Sequence, residues 1–342
     1  MDIQRVDPTS RDDFDRWFGV YRAAEMAAPP LVGSPLQADE LRVLLAEETT
    51  RRRTSAYLAV VGARPVSAGM LDVSLTDNLG RADIAVHTHP EHARNGFGTA
   101  VLRFLERAAR DAGRAVCVAQ TSWIHAADNA TGIGQAGPAF ARKNGYRLAL
   151  ADIKRIVDLP LDAEALDDLA ARAAQRQGDY EIRSFAGPVP EDLVESWARL
   201  TATLIAEAPA GELSVEEERI SVADVREAEE VLARQGRLKF NVVALDPAGD
   251  VVAFTEAVAT RHEPDRCYQW GTLVRPSDRG HRLGLALKVA NLRHIQRRLP
   301  DVRHVITYNA EGNDHMVAVN DALGFRPVAR LGEYQRRLPT DA

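Results

Sequence analysis

Ala93-Arg94-Asn95-Gly96-Phe97-Gly98-Thr99 follows the strand-like run Arg81 to Thr88 and a His89-Pro90 corner, and opens an amphipathic helix. Arg279-Gly280-His281-Arg282-Leu283-Gly284-Leu285 holds the same place after the run Cys267 to Val274 and the corner Arg275-Pro276. A glycine-bearing loop at such a junction leaves backbone N–H groups at a helix N-terminus, where unpaired donors and the helix dipole favour an anion. A glycine-aromatic corner closes each copy, Asn144-Gly145-Tyr146 and Leu323-Gly324-Phe325. The last loop glycines stand 186 residues apart and the closing glycines 179, close to half of a 342-residue chain, so one unit is used twice.

Working outward from the first loop, hydrophobic periodicity predicts a short strand at 2–6, helices at 11–26 and 38–48, and strands at 56–61, 65–73 and 81–88. The helix after the loop runs from Gly98 to about Ala112, with Val101, Leu102, Leu105 and Ala109 on one face and Gly113 as its stop. A buried strand at 115–120, a short helix ending at Lys143, and strands at 146–150 and 153–158 complete the order βααβββαβαββ. The alanine-rich stretch 162–176 reads as an interdomain helix, after which the order starts again. The second half gives a strand at 180–185, helices at 191–205 and 215–235, and strands at 238–245, 251–259 and 267–274. It ends with a helix at 283–299, a strand at 304–308, a helix at 313–323, and strands at 325–330 and 333–337. The expected domains are therefore 1–160 and 179–342 about a linker helix at 161–178.

A net charge of −6 with interspersed charges gives no footprint for a nucleic-acid partner. Cys117 and Cys267 lie in apolar strands without ligand or redox spacing and read as small buried side chains. No apolar run approaches the roughly 20 residues of a membrane span and no secretory leader opens the sequence, so a cytoplasmic protein with no membrane partner is expected. Its oligomeric state, monomer or homodimer, is open.

The order βααβββαβαββ with an anion loop at the strand-to-helix junction resembles the GNAT superfamily of acyl-CoA-dependent N-acyltransferases. The expected fold class is α/β (α+β), two tandem GNAT domains, each a mixed, mostly antiparallel sheet flanked by helices. The family's pyrophosphate motif Q/R-x-x-G-x-G/A keeps both glycines in the first loop, where Ala93 replaces the leading residue. In the second loop Arg279 leads correctly and Arg282 replaces the first glycine. The second half, with Gln269-Trp270-Gly271-Thr272-Leu273-Val274 and Thr307-Tyr308-Asn309-Ala310, looks like the C-terminal module of bacterial tandem GNAT proteins. Asn313 stands where the family often places an asparagine facing the pantetheine arm, and Gly134 takes that place in the first half. The family's thiolate-protonating tyrosine is replaced by Ala141 and Asn320.

The resemblance implies an acetyl-CoA-dependent N-acetyltransferase acting on a primary amine of a small molecule. The second domain is expected to be catalytic and the first degenerate or regulatory. Two alternatives stay open: catalysis in the first domain, whose loop keeps both glycines, and a non-catalytic acyl-CoA sensor or scaffold, suggested by the missing tyrosine. The implied cofactor residues of the second half are Thr272, Leu273, Val274, Arg279, Gly280, His281, Arg282, Leu283, Gly284, Asn309 and Asn313, with the Leu273 and Val274 region supplying an oxyanion-binding N–H. Those of the first half are Arg94, Asn95, Gly96, Phe97, Gly98 and Thr99.

An attacking amine must lose a proton. Glu256, which shares a strand face with Phe254 and Val258, reads either as that base or as a solvent-facing carboxylate. Tyr308 reads either as the acid beside the sulfur or as an aromatic wall, and Tyr334 is a second choice for the acid. His87, His89 and His92 look like a metal cluster, but two end a strand and one lies in the loop, so no metal is expected.

Overall fold

The computed structural model describes residues 1–207, 209, 211–213, 216 and 218–339. In chain order its elements are β1 (Asp2–Arg5), α1 (Arg11–Met26), α2 (Ala38–Ala46), β2 (Arg52–Val61), β3 (Arg64–Ser74), β4 (Arg81–Thr88), α3 (Phe97–Asp111), β5 (Val116–Ile124), α4 (Ala136–Lys143) and β6 (Arg147–Asp158). There follow α5 (Ala163–Gln177), β7 (Glu181–Ala186), α6 (Val194–Thr201), α7 (Leu204–Glu207), α8 (Val222–Arg234), β8 (Arg237–Leu245), β9 (Val251–Thr260), β10 (Arg266–Val274), α9 (Leu283–Arg298), β11 (His304–Ala310), α10 (Asp314–Ala322) and β12 (Arg326–Arg337). The mixed α/β class agrees with the sequence.

Local chemistry accounts for most boundaries. Ser10 caps α1 by accepting from the Asp13 N–H, and the helix buries Phe14, Trp17, Val20 and Tyr21 at three- and four-residue spacing. The helix expected at 191–205 is two pieces, α6 and α7. Ser221 and Asp224 form a capping box that starts α8 at Val222, and the expected start at Val215 lies outside the described residues.

The strands expected separately at 146–150 and 153–158, and at 325–330 and 333–337, are instead single twelve-residue strands, β6 and β12. Gly332, between the strands expected at 325–330 and 333–337, serves close packing: a Cβ there would meet the Trp123 and Tyr334 rings at 2.8 Å.

These long strands set the boundaries of the compact units. One unit comprises Met1–Ala151, Ala210–Glu216 and Ala329–Ala342, the other Asp152–Pro209 and Glu217–Val328. The expected division at 160 followed the chain, whereas the units take their strands from both halves of it. In the first unit the strand order is β1-β2-β3-β4-β5-β12, and β12 lies antiparallel to β5 from Ala329 opposite Ile124 to Arg337 opposite Val116. In the second the order is β6-β11-β10-β9-β8-β7, with Asp152 to Asp158 antiparallel to β11.

Each sheet is covered on both faces. In the first unit α1 and α2 pack Phe14, Trp17 and Leu41 against β2 and β3, and α3 packs Val101, Leu102 and Leu105 in a second cluster with β4, β5 and Tyr334. In the second unit every residue of β9 is buried. The helix expected as a linker, α5, belongs to that unit's core: its Leu166, Leu169 and Ala173 share a cluster with Leu285, Val289 and Leu292 of α9.

Candidate active site

The two loops have the same backbone with residue types exchanged. Positions 94 and 96 are left-handed, with φ of 66° and 84°, as are 280 and 282, with φ of 90° and 55°. The first loop puts arginine then glycine at these positions, the second glycine then arginine, and a non-glycine residue in this region costs about 1–2 kcal/mol. Gly96 and Arg282 are the N-caps of α3 and α9, so each loop aims the first N–H groups of a helix the same way. The side chains around them differ.

In the first unit a cleft of about 580 Å³ lies against the loop, lined by Arg94, Gly96, Gly98 and Thr99, by Val86 and Thr88 of β4, and by Gly137, Phe140 and Lys143 of α4. Parallel pairing of β4 with β5 runs from Arg81 opposite Val116 to Ile84 opposite Ala119, and both strands continue beyond it. There a slot of about 120 Å³ lies between Val86 and His87 on one side and Ala119, Gln120 and Thr121 on the other, with Leu102, Ala141, Tyr146 and Tyr334 around it. The slot and the cleft share Val86, Gly137 and Phe140.

Strand alternation divides the groups at the slot. The His89 N–H donates to Val66 O, so the N–H groups of His87 and Ala85 face β3 and that of Val86 faces the side where β5 has parted. Thr88 points to the loop, its Oγ1 at 2.8 Å from where a Gly98 Cβ would stand. His87 points to the opposite face, where its Nε2 lies 3.0 Å from Glu25 Oε1 and its ring meets Tyr21 edge-on at 4.8 Å. His87 Nδ1 is buried with no hydrogen-bond partner. The Tyr334 hydroxyl makes a long contact, 3.4 Å, to Thr131 O, and burial pushes the phenol pKa up, so it stays protonated.

In the second unit larger polar side chains stand at the corresponding positions. Lys288 and Asn320 occupy the sequence positions matching Leu102 and Ala141. Lys288 Nζ donates to Asn320 Oδ1 at 2.7 Å, and Asn320 Nδ2 donates to Asn309 Oδ1 at 3.1 Å, all of them buried. Burial pushes the Lys288 ammonium down to about 7. An unfolded lysine near 10.4 therefore binds more protons than the folded one between about pH 7 and 10, and stability rises with pH across that window. Lys288→Met removes this rise, checked by comparing thermal midpoints of the two proteins from pH 6.5 to 9.5.

The residues expected to bind cofactor in the second loop are engaged within their own unit. Arg282 donates to Arg172 O at 2.5 Å, His281 Nδ1 lies 3.1 Å from Arg176 O, and Arg279 pairs with Glu207. Asn313 caps α10 by accepting from the Met316 N–H, and so has a structural use. Tyr308 is half-buried, with Lys154 Nζ 5.7 Å from its ring centre.

Glu256 is buried rather than solvent-facing, and is ion-paired to Lys239. A bulge between Gln269 and Thr272 stands opposite it, and Gln269 Nε2 ties it by donating to Thr255 Oγ1 and Glu256 O. The Arg275 N–H donates to Val252 O, and by alternation the Leu273 N–H faces β9 while those of Thr272 and Val274 face β11. Leu273 itself belongs to the core.

No family model matches the chain. Mycothiol acetyltransferase of Salinispora arenicola (strain CNS-205) is 27% identical over 288 residues, 82% of this chain and 81% of that protein. A tandem GNAT protein from the clavulanic acid biosynthesis pathway, solved without AcCoA, superposes with a TM-score of 0.78 over 99% of both chains at 22% identity. The chain has the tandem GNAT fold, and the curated relative it resembles is an acetyltransferase. A GCN5-related N-acetyltransferase from Sphaerobacter thermophilus shares the fold, with a TM-score of 0.62, 16% identity and coverage of 100% of this chain and 97% of that one.

The structure also brings together groups that sequence reading had not joined. Lys143 and Tyr334 face the first unit's cleft and slot, and Glu25 reaches His87 from α1. A pairing rule that named β12 as the partner of β5 would have placed Tyr334; nothing local in the sequence connects Glu25 to His87. His89, Glu91 and His92 bring donor atoms within 4.8 Å of one another, while His87 is turned to Glu25. Among the described residues no helix is long and apolar enough to cross a membrane.

Proposed function

We propose that this protein transfers an acetyl group from acetyl-CoA to the amine of a small molecule, and that the first unit carries the reaction. The observation that supports this most is the continuity of cleft and slot through Val86, Gly137 and Phe140, beginning at the helix N-terminus of α3. The N–H groups of Phe97, Gly98 and Thr99 meet the pyrophosphate, with Arg94 and Lys143 adding positive charge. The slot takes the thioester end, where the Val86 N–H stabilises the oxyanion and the Tyr334 hydroxyl returns a proton to the departing sulfur. A lost oxyanion donor costs about 2.7–4 kcal/mol, so one such N–H matters.

The bulge in β10 favours transfer in the second unit instead. The buried Lys288–Asn320–Asn309 chain weighs against it, because its polar groups stand at the positions matching Leu102 and Ala141 of the slot. The second unit then acts as a companion. The curated relative is named a mycothiol acetyltransferase, and for this chain an amino sugar, an aminoglycoside, a polyamine and a dipeptide form the test panel. Release of free CoA thiol from acetyl-CoA, dependent on one of these amines, is the expected result. Tight acetyl-CoA binding with no release on any amine would favour a sensor.

A further inference from the structure

We infer that His87 is the general base of the transfer, and that Glu25 positions it. The inference rests on the reading that the first unit carries the reaction, and its observations are separate from the cofactor loop. His87 sits on β4 next to Val86, whose N–H faces the slot, but its side chain lies on the opposite sheet face from the loop-facing Thr88. A thioester entering from the loop side thus presents its carbonyl carbon to an acceptor arriving on the face where His87, Tyr21 and Glu25 gather.

The hydrogen-bonding geometry selects a tautomer. An ionised Glu25 only accepts, so the 3.0 Å contact places the imidazole proton on Nε2 and leaves the Nδ1 lone pair available. That Nδ1 is buried without a partner, an arrangement that normally costs about 1–3 kcal/mol and that an incoming ammonium or amine N–H relieves. Glu25 is itself held: a Cβ on Gly33 would stand 3.2 Å from its Oε2, so the segment after α1 closes over the carboxylate. A histidine oriented by a carboxylate, with its other nitrogen left unpartnered, is the arrangement expected of a base.

The amine nitrogen forms a C–N bond to the acetyl carbon and gives a proton to His87 Nδ1. The C–S bond breaks, its electron pair leaves on the sulfur, and the thiolate takes a proton from the Tyr334 hydroxyl. His87 returns its proton through solvent to Tyr334, so that one proton has passed from nitrogen to sulfur.

The test uses the full chain, acetyl-CoA and whichever panel amine the wild type acetylates. His87→Gln should lower kcat by about 10²- to 10⁴-fold with the acetyl-CoA Kd within twofold of wild type. The loss should be largest for a strongly basic alkylamine and smaller for its β-fluorinated, less basic counterpart, a dependence that a packing defect would not produce. Glu25→Gln should show the same dependence with a smaller loss. Equal activity of His87→Gln and wild type, or losses in both variants that ignore amine basicity, would overturn the role of His87 while leaving the first-unit reading in place. Wild-type turnover that survives a blocked first loop, or no turnover with any amine, would overturn that reading and this role together.

Discussion

Gly98→Asp should reduce acetyl-CoA affinity by roughly three orders of magnitude, and Gly284→Asp should leave it within about twofold. Gly98 is the second residue of α3, inside the turn whose N–H groups face the cleft. An aspartate there sets a carboxylate against the pyrophosphate: two unit charges 4 Å apart repel by about 4 kcal/mol at an effective dielectric of 20, close to a thousandfold in binding. Without ligand the same carboxylate suits a helix N-terminus, so the variant should fold. Sterics are a lesser term, because the added Cβ meets Thr88 Oγ1, which can rotate. Gly98→Ala separates the two, and should lose far less affinity than the aspartate. At Gly284 an added Cβ meets nothing within 4 Å, so its aspartate tests whether the second loop holds cofactor at all. Isothermal titration of the three variants with acetyl-CoA reads the result, and a larger loss in Gly284→Asp would reverse the assignment of the units.

A fragment ending at residue 160 should fail to fold, although it contains an entire sequence repeat. The first unit needs β12 along β5, and a fragment leaves that edge of β5 open. It also strands a buried charge. Glu106 lies in the core, where Arg336 donates to Oε1 at 2.8 Å, Tyr146 donates to the same oxygen at 3.1 Å, and Arg103 donates to Oε2 at 2.7 Å. Removing one partner of such a buried pair costs about 3–5 kcal/mol, a large share of a domain's 5–15 kcal/mol, before the lost burial of Tyr334 and Leu338 is added. Joining residues 329–339 to the fragment through a flexible linker should restore a cooperative melt. A cooperative transition in the bare fragment would show that the long strands are dispensable.

The loops were legible in the sequence because glycine marks left-handed backbone and the same spacing recurs after a strand. Arg94 and Arg282 were harder to see as backbone-strained positions, since each stands in for the glycine of the other copy. The element order was legible from hydrophobic periodicity, but periodicity tells which face of a strand is buried and never names its neighbour. The division into units therefore escaped sequence reading, and Tyr334, read as a residue of the second half, faces the slot of the first unit. Lys288 escaped it for a related reason: four residues after Gly284 it looks like an ordinary helix lysine, and only the packing of α10 against α9 buries it. His87 looked like a strand-end histidine beside two others because its partner lies 62 residues away on α1.

The central claim is that one open acyl-CoA site exists, in the first unit. A crystal structure with acetyl-CoA tests it most directly. The predicted result is one cofactor per chain, its pyrophosphate against the N–H groups of Phe97, Gly98 and Thr99 and its thioester between Val86 and Ala119. Cofactor seated on Arg279 to Gly284, with Lys288 and Asn320 displaced from each other, would contradict the claim.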